Sequence, residues 1–131
     1  MQVTATDAGG RQLRAQLGDA LRKAVRDRDT VAAATIRTAM AAIDNAEAVS
    51  MASRSVPSAN SAHVAGAAAG LGAAEVARRV LSADEATAIV RAEMSERLQA
   101  ADQYAKAGSA EHAARLRAQA EVLRTVLSGP A

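Results

Sequence analysis

Two helical segments joined by a tight, charged turn constrain this chain more than any other feature. Just before and along the stretch Leu17–Val49, LGDALRKAVRDRDTVAAATIRTAMAAIDNAEAV, apolar residues recur at Leu13, Leu17, Leu21 and Val25, then at Ala32, Ile36, Met40 and Ile43. Helical spacing therefore lies on both sides of Arg26-Asp27-Arg28-Asp29. So short a connection forces the two helices back on each other as an antiparallel hairpin. The first helix is expected over about residues 10–27 and the second over about 30–49. Asp29 or Thr30 can cap the second by accepting a bond from one of its first amides, and Asp19 stands four residues before Lys23, in pairing distance on a helix.

A second hairpin follows. Ser82-Ala-Asp-Glu85 is a capping box, in which a serine and a glutamate three residues on each satisfy a backbone amide at a helix start. The third helix, about 83–107, carries Ala86, Val90, Met94, Leu98, Ala101 and Ala105 on one face. Gly108 is placed to end it in a left-handed conformation, and Ser109 to cap the fourth helix, about 110–127. That helix sets Ala113, Leu116, Ala120, Leu123 and Leu127 at alternating spacings of three, four, three and four. Glu93–Arg97, Glu111–Arg115 and Arg117–Glu121 stand four apart, as pairs of exposed helix faces do. Residues 50–72 are small, polar and without period, and are read as a flexible linker, with Ala73 to Leu81 as a lead-in. The expectation is an all-α four-helix bundle made of two antiparallel helical hairpins joined by a long flexible linker. It spans residues 10–131 as one domain after a flexible N-terminus, residues 1–9.

Composition supports this and narrows the chemistry. More than a quarter of the 131 residues are alanine, there is one Tyr and no Phe or Trp, and Pro57 and Pro130 fall outside the periodic segments. The core must be thin and closely packed, because alanine favours helix but buries little area. With no cysteine, disulfides and thiolate chemistry are excluded. The N-terminal residues lack the apolar run of a signal peptide, and the uncharged run Ser55–Ala74 is too weakly apolar for a membrane span. The expected location is cytoplasmic, with no membrane partner. Net charge is only +2, from 14 Arg and 2 Lys against 14 acids, so composition alone demands no nucleic acid.

Few residues can carry chemistry. The glycines Gly66, Gly70 and Gly72 lack phosphate-loop spacing. His63 and His112 are solitary and read as solvated structural groups, and Glu93 with Glu96 reads as part of a salt-bridge lattice. No catalytic residue, metal ligand or cofactor is therefore expected. Met40 and Met94 read as core, and Tyr104 as packed or half-exposed. The arginines remain. Arg22, Lys23, Arg26 and Arg28 gather at one end of the first hairpin, with Arg78, Arg79 and Arg91 as a second set. Two readings stand for the first cluster: a corner whose guanidinium forks contact phosphate, or a solvated helix end balanced by Asp19, Asp27 and Asp29.

The string from Asp19 to Asp29, DALRKAVRDRD, then Thr35-Ile-Arg37, Ala41-Ala-Ile43 and Asn45-Ala-Glu47, resembles the start of GatB/YqeY-like proteins. Leu81-Ser-Ala-Asp-Glu85, Ile89-Val-Arg-Ala-Glu93, Arg97, Tyr104 and Ala107-Gly108 resemble that family's third helix, and Ala113 through Leu127 its fourth. The resemblance covers roughly residues 11–127 without the linker. It implies a helical bundle related to the C-terminal region of the B subunit of tRNA-dependent amidotransferases, a region that helps engage tRNA while the chemistry sits in other domains. It also implies that the second, smaller helical domain of longer members is missing, and that the family label, a carbon–nitrogen ligase with glutamine as amido-N-donor, does not describe what this chain does alone. The expected function is a non-catalytic accessory domain binding tRNA or a translation-related protein through Arg22, Lys23, Arg26 and Arg28. The alternative is a protein–protein interaction module with no RNA role.

Overall fold

The computed structural model describes residues 5–55 and 81–129, with side chains over 9–49 and 81–129. Four helices fill these segments: α1, Ala5–Arg26; α2, Thr30–Ser55; α3, Ala83–Lys106; and α4, Ala110–Ser128. They form the expected all-α four-helix bundle of two hairpins. Residues 1–4, the linker from 56 to 72 and the lead-in at 73–80 lie outside the described residues, as do Pro57, His63, Arg78 and Arg79.

Two boundaries differ from expectation. α2 continues six residues past Val49, to Ser55, because Ser50-Met-Ala-Ser-Arg-Ser55 holds no proline or glycine to stop it. α1 begins at Ala5 rather than near residue 10, so residues 5–9 of the expected flexible N-terminus are helical. Gly9 and Gly10 lie inside α1, although glycine weakens a helix interior. Here the pair serves close packing. A Cβ on Gly10 would lie 2.0 Å from the Leu81 carbonyl oxygen, and one on Gly9 2.5 Å from Ala83 Cβ. The missing side chains let α1 lie directly on the start of α3.

The main core is built from Leu13, Leu17 and Ala24 of α1, Ala32, Ala33, Ile36, Ala39 and Ile43 of α2, Ala86 and Val90 of α3, and Leu123 and Val126 of α4, with Leu81 ahead of α3. Among the described residues the only buried polar one, Thr35, donates its hydroxyl to the Val31 carbonyl at 2.8 Å, so no donor is stranded. Ala101, Ala113 and Ala120 are buried outside this core, within the α3–α4 hairpin. The α1–α2 hairpin thus packs over the open end of the α3–α4 hairpin, and the closed end of the latter packs on itself through alanine.

Of the positions expected on apolar faces, Ala105 near the end of α3 is exposed, and two large residues face solvent: Val25 is 52% exposed and Leu98 44%. Both large residues end runs of strict four-residue steps. Each such step overshoots the 3.6-residue turn by about 40°, so three steps drift about 120° around the helix. Ala24 takes the core position instead of Val25. On α3 the same drift turns Glu93 and Arg97 inward, against expectation. Arg97 donates to Glu93 Oε1 at 2.9 Å and to Gln119 Oε1 of α4 at 3.1 Å, with its side chain only 13% exposed. α4, whose seam mixes steps of three and four, buries Ala113, Ala120 and Leu123 as expected.

Ties between elements complete the frame. Arg14 bonds to Glu47 and, at 2.9 Å, to Asp44 of α2. The other Glu47 oxygen accepts the Leu81 amide at 3.1 Å, fixing the entry to α3. The capping box is formed, with both Ser82–Glu85 bonds at 3.1 Å. No described helix is long and apolar enough to cross a membrane.

Candidate nucleic-acid interface

The α1–α2 corner is set by backbone geometry. α1 closes in a Schellman turn: the Arg28 amide donates to the Val25 carbonyl at 3.2 Å and the Asp29 amide to the Ala24 carbonyl at 2.9 Å. That pattern requires a left-handed residue, and Arg28 supplies it with φ of 57°. Asp29 then caps α2, accepting the Ala32 amide at 3.0 Å. Thr30 is the first residue of α2, so of the two capping candidates Asp29 takes the role.

The fold-back brings α2 beside the last turns of α1. Arg22 and Arg26 line one shallow groove with Leu21, Val25 and Arg37. Arg28 lines the adjoining groove with Ala24, Val25, Asp29, Ala33 and Arg37. Four guanidinium groups thus surround exposed Val25. Lys23 does not join them. It faces the α4 side, in a groove with Gln16, Asp19, Ala20, Arg26, Thr125, Val126 and Gly129. Of the four expected residues the structure therefore gathers Arg22, Arg26 and Arg28, and adds Arg37. The signal for Arg37 was present in the hairpin: its sequence distance is large, but the turn fixes it opposite Leu21–Val25.

Charge pairing decides which cations are available. Arg22 pairs with Asp19, and Lys23 with Asp27 instead of the expected Asp19. The hydrogen bond from Lys23, its charge and, beyond it, that of Arg26 hold the Asp27 carboxyl below the usual carboxylate range. Asp29 is engaged by its cap. The three acids of the corner thus all have partners, and among the described residues Arg26, Arg28 and Arg37 are hydrogen-bonded to no carboxylate. Exposed guanidinium groups around an apolar contact suit phosphate oxygens, which they grip with paired donors.

The other candidates separate from this corner. Arg91 lies in a groove between α3 and α4 with Met94, Ser95, Leu98, Arg124, Leu127 and Ser128. Its expected companions Arg78 and Arg79 lie outside the described residues. His112 is not solitary: its ring stacks on Tyr104, with centroids 3.8 Å apart and planes 8° from parallel. Arg117 reaches Asp102 at 3.4 Å rather than Glu121, and Glu121 takes Arg124 at 2.8 Å, which holds its carboxyl low and raises the Arg124 guanidinium. Ser109 makes no side-chain cap on α4, contrary to expectation, since only its carbonyl enters the helix ladder. Among the described residues no group of three or more His, Asp or Glu is placed to hold a metal ion. Comparison with family models, with curated proteins and with solved structures gives no match.

Proposed function

We propose that the chain is a non-catalytic helical accessory domain of the GatB/YqeY kind, which holds tRNA by its phosphates at the α1–α2 corner. The observation that carries this reading is the arc of Arg26, Arg28 and Arg37 around Val25, none of them bonded to a carboxylate. The motif order quoted above supports the choice of tRNA among polyanions. The corner contributes contact and orientation only. It holds guanidinium groups, which stay protonated near neutral pH and so offer no base, and any amide transfer belongs to a partner.

Filter retention of a tRNA transcript tests this. Three phosphate contacts give a slope of about −2 to −3 in log affinity against log salt, a roughly 16- to 64-fold loss between about 50 and 200 mM. The Arg26→Ala, Arg37→Ala double variant should flatten that slope by about 2. No retention at the lower salt, or retention without salt dependence, contradicts the phosphate contact. Equal retention of poly-glutamate at matched charge would replace RNA by an acidic protein surface.

A further inference from the structure

The two hairpin turns are duplicates in backbone. In the first, the Asp27, Arg28 and Asp29 amides donate to the carbonyls of Lys23, Val25 and Ala24; in the second, those of Ala107, Gly108 and Ser109 donate to Gln103, Ala105 and Tyr104. The left-handed position is Gly108 in one, with φ of 87°, and Arg28 in the other, with φ of 57°. Only glycine takes that conformation without a steric penalty from Cβ.

Among the described residues no bond of the Arg28 side chain offsets that penalty. Its guanidinium bonds to no group among the described residues, and its side chain is exposed. A residue that weakens the fold and contributes no internal bond is one whose side chain is useful to something outside it. That side chain lines the same groove as Arg37. We infer that Arg28 and Arg37 together form a two-guanidinium clamp for a single phosphodiester of the RNA backbone, and that the left-handed turn is kept non-glycine for this contact. The inference rests on the RNA reading above and names the phosphate-gripping pair within it.

Four variants of the full chain test it: Arg28→Gly, Arg28→Ala, Arg28→Lys and Arg37→Ala. Thermal unfolding and tRNA filter binding are measured on each. Arg28→Gly is expected to raise Tm by about 2–6 °C while weakening tRNA binding about five- to tenfold near 100 mM salt and lowering the salt slope by about 1. Arg28→Ala should lose the same affinity without the gain in Tm, because alanine keeps the steric penalty. Arg28→Lys should retain most of the binding. Wild-type affinity in Arg28→Gly, with Arg37→Ala still weakened, overturns the clamp but leaves the RNA corner standing. No gain in Tm for Arg28→Gly overturns the conformational argument. No tRNA binding by the wild-type chain overturns both.

Discussion

The α1–α2 and α3–α4 turns close their hairpins with the same hydrogen bonds, yet one sits against the main core and the other at the tip of an alanine-packed pair. Beside the first turn Ala24, Ala32 and Ala33 are buried in the core, and Asp29 caps the next helix. Beside the second, the neighbours are exposed Tyr104 and the half-buried His112 stacked on it, and Ser109 provides no side-chain cap. A corner held by core packing and a cap tolerates a strained arginine. A corner held by its backbone alone takes glycine. The same local geometry thus stands in two surroundings, and the surroundings differ in packing and capping rather than in backbone.

Core truncation should separate the two regions most strongly. Leu17→Ala removes a fully buried side chain and is expected to lower unfolding free energy by about 2–5 kcal/mol. Leu98→Ala, in the second hairpin and 44% exposed, should stay within about 0.5 kcal/mol. Equal losses in urea denaturation would mean that the closed end of the α3–α4 hairpin is packed as firmly as the main core. Next comes the turn glycine. A Cβ on Gly108 meets nothing within 4 Å, so Gly108→Ala tests conformation alone and should cost about 1 kcal/mol.

The caps give a smaller contrast. Asp29→Ala should lose about 1 kcal/mol and Ser109→Ala only a few tenths, since only Asp29 accepts a side-chain bond from an amide. Similar losses in the two variants would remove the difference drawn between the turns. The smallest effect is in pH. Asp27 beside Lys23, and Glu121 beside Arg124, each have a lowered carboxyl pKa in the folded chain. Their stabilisation is complete above the unfolded carboxylate values and fades as pH falls through the folded ones, below about pH 4. NMR titration should show Asp27 rising toward its ordinary value in Lys23→Ala, with Glu121 unmoved; an unshifted Asp27 would deny the pairing.

Much of the fold was legible because capping and turn chemistry are local. Ser82 and Glu85 satisfy each other within one turn, and Gly108 meets a requirement of its own backbone. What escaped depended on phase or on tertiary contact. Runs of four-residue steps gave no warning that Val25 and Leu98 rotate outward while Glu93 and Arg97 rotate in. The use of Gly9 and Gly10 inside α1 depends on Leu81 and Ala83 packed against them. The site was legible in part for the same reason. Arg22, Arg26 and Arg28 cluster in sequence, but Arg37 joins them only through the fold-back, and Lys23 leaves them because its place on α1 faces α4. The left-handed state of Arg28 followed from the hydrogen bonds of the turn, not from any preference of arginine.

The central claim is that the α1–α2 corner, and not its backbone duplicate, meets the RNA. Amide chemical-shift mapping during titration with a tRNA transcript addresses both turns in one sample. Shifts concentrated at Arg22–Thr30 and Arg37, with Tyr104–His112 unchanged, are the predicted result. Shifts confined to Tyr104–His112 would move the contact to the aromatic tip and contradict the claim.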